Sequence, residues 1–239
     1  MEYAVVCSVA LVASLLTLLS GFGLGTILLP AFALFFDAAT AVAMTAVVHL
    51  ANNLFKSGLL ARMADWEIAL KFGLPGALAA IGGAQILLML EGDQVKRLIG
   101  ALMIAFALFD LIPRLQSLSF SRRALPVGGL ISGFFGGLSG HQGALRAAFL
   151  TKLGLSATAF VATNVVIAIM VDLARIPVYA ASWRHGFANW ELVASACVAA
   201  FVGAVIGARL MRKTAMGFIR YLVGALMVAI GLAMVAGWI

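Results

Sequence analysis

Gly21-Phe22-Gly23-Leu24-Gly25 interrupts an apolar run that extends from Tyr3 to Phe36, and Gly136-Gly137-Leu138-Ser139-Gly140 interrupts a second, from Ala124 to Thr151. As unbroken helices rising 1.5 Å per residue, these runs would be roughly 51 and 42 Å long, against a hydrocarbon core of about 30 Å. Glycine weakens a helix interior and permits sharp turns. Each run is therefore expected to be two helical pieces broken at its glycines. The second pieces, Leu24–Phe36 and His141–Lys152, are short for full crossings and are expected to be half-helices entering partway.

The other apolar runs are Ala38–Leu60, Trp66–Leu90, Leu98–Ile112, Ala157–Ala180, Trp190–Met211 and Phe218–Ile239, each suited to one crossing. Of the 239 residues, 64% are hydrophobic and only 10% charged, where a soluble domain carries about 25% charged residues. The chain is an all-α polytopic membrane protein. A soluble enzyme, a secreted disulfide scaffold and a disordered chain are excluded. Met1–Ser20 lacks the basic start of a signal peptide and is expected to stay as a membrane helix. Cys7 and Cys197 stand alone in apolar runs, so no disulfide or metal site is expected. The net charge of +7 sits mostly in short gaps between runs. There it acts as a topology signal facing an anionic leaflet, not as a nucleic-acid surface.

The two glycine breaks belong to an internal repeat. Asp65-Trp66-Glu67 returns as Asn189-Trp190-Glu191, and Gly100-Ala101-Leu102-Met103 as Gly224-Ala225-Leu226-Met227, both 124 residues later. Upstream, at an offset of 118, Gly25 matches Gly143, Thr40-Ala41 matches Thr158-Ala159, and Thr45 matches Thr163. The expected halves are residues 1–118 and 119–239, two repeats in one membrane domain. If each long run is a hairpin, the halves hold about five helical segments each and are inverted. Lys and Arg then divide twelve to four across the membrane, a positive-inside bias. The alternative, eight single crossings, divides them eight to eight. The five-plus-five reading is preferred, with both termini outside.

Ser20-Gly21-Phe22-Gly23-Leu24-Gly25-Thr26-Ile27-Leu28-Leu29-Pro30, followed by Asp37-Ala38-Ala39-Thr40-Ala41-Val42-Ala43-Met44-Thr45, resembles the first-repeat signature of the TauE/SafE sulfite-exporter family. Gly133 to Thr163 resembles the second. The resemblance implies a permease of small sulfur-containing anions such as sulfite, thiosulfate or organosulfonates. The chain departs from the family pattern where Ser139-Gly140-His141-Gln142-Gly143-Ala144-Leu145-Arg146 replaces a glycine run, and where Ala148 stands for a proline.

An ionisable side chain inside a membrane costs about 2.5–3.5 kcal/mol even on a lenient scale, so such residues mark candidate sites. His49, Asn52, Asn53 and Lys56 share one helix face by their spacing. His and Asn can donate to an anion and Lys56 can balance its charge. The competing reading is a polar seam between helices, with Lys56 snorkelling to the interface. His141, Gln142 and Arg146 follow the second break, where a half-helix N-terminus would direct N–H groups at an anion and Arg146 would add a fork-shaped cation. Otherwise Arg146 faces the interface. Gly23, Gly25 and Thr26 form the matching turn without charge. Asn164, Asp172 and Arg175 lie on one flank of a helix. Asp172 and Arg175 are spaced for an ion pair, the preferred reading, and Asp172 is the candidate coupling residue in the other.

The leading function is a secondary transporter of a small anion, with the lipid bilayer as its setting and the bacterial inner (plasma) membrane as its expected location. No ATP-binding motif, cofactor or metal is called for, and an enzyme is not expected. The alternatives are an intramembrane redox or lipid-modifying enzyme, which would need paired cysteines or clustered carboxylates, and a cation or metal carrier, for which Asp172 is the only plausible ligand. Assembly as a homo-oligomer stays open.

Overall fold

The computed structural model describes residues 1–20, 24–90, 92–116, 118, 120–182, 189–210 and 216–238. These form α1 (Glu2–Ser20), α2 (Leu24–Ala33), α3 (Ala38–Leu60), α4 (Trp66–Met89), α5 (Asp93–Leu111), the short α6 (Pro113–Gln116), α7 (Leu125–Ser139), α8 (Gly143–Leu150), α9 (Ala157–Ser182), α10 (Trp190–Leu210) and α11 (Met216–Val235). Among the described residues there is no strand. The stretches Ala38–Met63, Trp66–Met89, Ala157–Ala181 and Trp190–Gly207 are long and apolar enough to cross a membrane.

Both long apolar runs are broken at their glycines. α1 stops at Ser20 and α2 starts at Leu24, while α7 stops at Ser139 and α8 starts at Gly143. With 10 and 8 residues, α2 and α8 rise only about 15 and 12 Å. At the second break Gly140 has φ +78°, a left-handed conformation that ends α7 as helix C-termini commonly end. The chain then doubles back. Ser132 Oγ donates to the Gln142 carbonyl at 3.1 Å, and the Phe149 ring stacks 4.0 Å from that of Phe120, which precedes α7. α7 and α8 are thus a hairpin, and α2 likewise returns along α1.

Interior and exterior are reversed relative to a soluble protein. Leu74, Leu78, Leu173, Val198 and Leu232 are exposed, while Asn52, Thr163, Asp172 and Arg175 are buried. Lipid solvates the first set and not the second. On α4, Leu70, Leu74 and Leu78 face outward, and Gly73, Gly76, Ala80 and Gly83 face inward. That small-residue face receives Gly129, Gly133 and Gly137 of α7, so closely that a Cβ on Gly133 would lie 2.0 Å from the Gly76 carbonyl oxygen. Association in lipid relies on such close backbone approach, because burying apolar surface there drives little. α1 packs on α10, with Gly203 against the Leu11 carbonyl. α5 packs on α11 through Gly100 and Gly231.

Side chains fix where α3 and α4 begin. Asp37 accepts from the Thr40 amide and Asp65 from the Ile68 amide, each at 3.0 Å, satisfying N–H groups that a helix start leaves open. The Asp65 amide donates to Thr163 Oγ1 at 2.9 Å, tying the start of α4 to α9. Trp66, Trp190 and Trp238 are exposed at or near helix ends, where interfacial aromatic anchors are expected. Trp183 and His185 lie outside the described residues.

Candidate functional site

The buried face of α3 carries Thr45, His49, Asn52, Asn53 and Lys56. Lys56 therefore does not reach the surface as the snorkelling reading required. α9 lies alongside, and the two helices meet at a charged cluster. Arg175 donates from Nε and Nη2 to Asp172 Oδ1 at 3.0 and 2.8 Å, the ion pair its spacing suggested. The other oxygen, Oδ2, sits 2.6 Å from His49 Nδ1. An ionised carboxylate only accepts, so the His49 proton is assigned to Nδ1. Asn53 Nδ2 lies 3.2 and 3.3 Å from the two ring nitrogens and donates to the His49 carbonyl at 2.9 Å.

Arg175 also closes the end of α7. Its Nη1 donates to the Gly136 carbonyl at 2.5 Å, and Tyr179 Oη donates to the Gly137 carbonyl. These carbonyls lie in the last turn of α7, where helical donors run out: Gly136 accepts from the Gly140 amide at 3.0 Å as well as from Arg175. Asp172→Asn would leave the Arg175 guanidinium without its counter-charge in a buried place, at a cost of about 3 kcal/mol. The expected result is a marked fall in folded yield and in melting temperature, read by size-exclusion chromatography after heating in detergent. Unchanged yield and melting temperature would reject a structural role for the pair.

The two breaks come together beside this cluster. A Cβ placed on Gly25, in the first turn of α2, would lie 3.4 Å from Thr45 Cγ2, 3.8 Å from the Gly140 carbonyl and 3.9 Å from His49 Cδ2. Thr26, on the same turn, is buried and borders a cavity of about 10 Å³ with His141, Gly143, Ala144, Phe106 and Met227. His141 Nδ1 is 3.3 Å from Ser139 Oγ and its ring stacks on Phe106. Arg146 is buried, contrary to the interfacial reading, and its Nε donates to Asn164 Oδ1 at 2.7 Å. Asn164 in turn donates to the Phe160 carbonyl. Asn52 accepts from Ser14 at 3.4 Å.

Several polar atoms here have no hydrogen-bond partner among the described residues: Thr45 Oγ1, Asn52 Nδ2, His141 Nε2, both side-chain amide atoms of Gln142, and Arg146 Nη1. A buried polar atom left unpaired costs about 1–3 kcal/mol, and more when charged. A concentration of them in one region is a strong mark of a site that receives a polar ligand.

The structure thus brings His49, Gly25, Thr26, His141, Gln142, Arg146 and Asp172 to one region. Gly23 lies outside the described residues. Sequence reasoning missed the His49–Asp172 contact, the unpaired Thr45 hydroxyl and Tyr179. Tyr179 stands four residues beyond Arg175 and seven beyond Asp172, so its spacing was a usable signal. An apolar groove of about 350 Å³ between α1, α2 and α11 is lined by residues such as Val9, Ile27, Pro30 and Leu226 and has almost nothing to hold an anion. No group of three or more metal-ligating side chains occurs among the described residues.

A helical membrane protein whose spans enclose unpaired donors and buried charge is of the class that moves polar solutes through the bilayer. The chain belongs to the sulfite exporter TauE/SafE family, whose model matches residues 6–234. It is therefore an integral membrane transporter and not an enzyme. No curated protein and no solved structure matches it.

Proposed function

We propose that the protein is a secondary transporter of a small sulfur-containing oxyanion, such as sulfite, thiosulfate or an organosulfonate, in the bacterial inner membrane. In this reading the anion is held where the α2 and α8 breaks meet α3 and α9. The carrying observation is the set of unpaired buried groups, rich in donors and including the Arg146 guanidinium. Oxyanions are acceptors only, and the group complementary to them is such a donor set around a cation. The first turn of α8 adds open N–H groups and a positive dipole end. The 10 Å³ cavity is about the room one water needs, so the conformation seen is closed around the site and transport requires it to open. Flux of radiolabelled sulfite, thiosulfate and sulfoacetate into proteoliposomes tests the reading. Uptake of at least one above empty vesicles is expected, and none of the three moving would reject it.

The reading includes two inverted repeats, residues 1–118 and 119–239. The reciprocal packing of α1 on α10 and of α4 on α7 supports it, as two halves that exchange equivalent helices about a pseudo-two-fold axis would pack this way. In a background without Cys7 and Cys197, Arg123→Cys and Lys152→Cys are expected to react with an impermeant thiol reagent from the cytoplasmic side only. Glu2→Cys should react from outside. All three positions are exposed. Labelling of positions 123 and 152 from opposite sides would restore single crossings.

A further inference from the structure

Asp172 was the sequence's candidate for a coupling residue, and the geometry argues against it. One of its oxygens takes two bonds from Arg175, which is itself anchored to the Gly136 carbonyl of α7. A carboxylate so held stays ionised, and moving it would uncap a helix. His49 is differently placed. Its Nδ1 proton goes to Asp172 Oδ2, which leaves a basic lone pair on Nε2 whose one neighbour among the described hydrogen bonds is the Asn53 amide at 3.3 Å, a neutral group that must turn aside when Nε2 takes a proton. The carbon next to Nε2, Cδ2, is the ring atom facing Gly25 at the meeting of the two breaks.

Resting on the anion-transport reading above, we propose that His49 is the proton-coupling residue: it takes a proton on Nε2 as an oxyanion binds, so that proton and anion cross together. The charges around it support this. From α9 it faces Asp172 and, through it, Arg175, and the Arg146 charge of α8 acts on the same pair. Arg146 and Arg175 against Asp172 leave one positive charge, which balances a monoanion. A dianion leaves one negative charge over, and a proton on His49 balances it. On its own helix the next charge is Lys56, two turns away, about 10 Å along the axis. α2 brings no titratable side chain, and Glu191 of α10 is engaged with Tyr3 at the start of α1.

His141 is the competing proton acceptor, and it is the poorer one. Its partner is a serine hydroxyl and its ring lies on Phe106, with no carboxylate against it. A proton there would add a third cation to Arg146 and Arg175, whereas on His49 it lies against Asp172 and the imidazolium is held as an ion pair.

The test uses thiosulfate, which stays a dianion throughout the neutral range, so any proton taken up belongs to the protein. Purified wild-type protein in weakly buffered detergent is expected to take up about one proton per thiosulfate bound. Its affinity is expected to fall by up to tenfold per pH unit on the alkaline side, as one linked proton requires. In His49→Gln, which keeps a polar side chain of similar length but has no basic nitrogen, binding should weaken, lose this pH dependence and take up no proton. His141→Gln should still take up the proton. Thiosulfate binding by the wild type without proton uptake would overturn the proposal and leave the transport reading standing. So would proton uptake that survives in His49→Gln and vanishes in His141→Gln. No binding or flux of any tested anion by the wild type would overturn the reading beneath it and the coupling role together.

Discussion

Arg146→Gln is expected to raise the apparent substrate constant for transport by roughly thirtyfold or more, with the protein still folded. Removing one partner of a desolvated, charged hydrogen bond costs about 2–5 kcal/mol, and each 1.4 kcal/mol is tenfold in affinity. A rim charge would cost far less. Two observations place Arg146 in the first category. The residue is only 6% exposed, and its Nη1 has no partner within the described chain while Nε is fixed by Asn164. The Nε bond aims the guanidinium, and the free Nη1 is what an oxyanion would meet. Glutamine can still bond Asn164, so the loss falls on recognition more than on folding. Arg146→Lys should recover part of the affinity, since it restores charge without the fork. Concentration dependence of initial flux in proteoliposomes measures both. An unaltered constant in a well-folded Arg146→Gln protein would make Arg146 a packing residue.

Gly133→Leu is expected to leave almost no folded protein in detergent extracts. The Cβ alone would sit 2.0 Å from the Gly76 carbonyl oxygen and 2.5 Å from two further backbone atoms of Gly76. No rotamer relieves a clash with backbone, so α7 must back away from α4 along a seam that Gly129 and Gly137 also hold, each within 2.1 Å of a carbonyl oxygen by the same measure. Gly133→Ala should already cost about 3 kcal/mol, the upper range for overpacking. Gly82→Ala is the control. On the same helix as Gly76, Gly82 has nothing within 4 Å of an added Cβ, and alanine gains helix propensity of up to ~1 kcal/mol. Melting curves by size-exclusion chromatography should order the variants Gly82→Ala, Gly133→Ala, Gly133→Leu from most to least stable. Equal stability of Gly133→Ala and Gly82→Ala would mean that α4 and α7 do not meet backbone to backbone at Gly133.

The same seam bears on function. α7 carries on its far end the Gly136 and Gly137 carbonyls that Arg175 and Tyr179 hold, and the Gly140 turn that starts the return to α8. A shift of α7 would therefore move His141 and Gln142 together with the Asp172 pair. Stability of the α4–α7 contact and geometry of the site are one problem.

Much of this was open to reading along the chain, because the rules involved are local. Helical rise against bilayer thickness required both long runs to break, and the glycines showed where: α2 and α8 begin at Leu24 and Gly143. Periodicity put His49, Asn52, Asn53 and Lys56 on one face, and an i, i+3 spacing paired Asp172 with Arg175. Other features required two helices to be docked first. The second oxygen of Asp172 belongs to His49, 123 residues away. Arg146 chose Asn164, not the interface, and Arg175 closed α7 as well as pairing with Asp172. Spacing along a helix fixes which residues share a face, but not which face of another helix it meets or at what height. Height and approach are set where glycines let backbones nearly touch, as at Gly76 and Gly133, and that contact joins residues with no common local pattern. The membrane protein and its broken helices were written in periodicity and length, whereas the partners of His49 and Arg146 follow from how closely the helices approach one another.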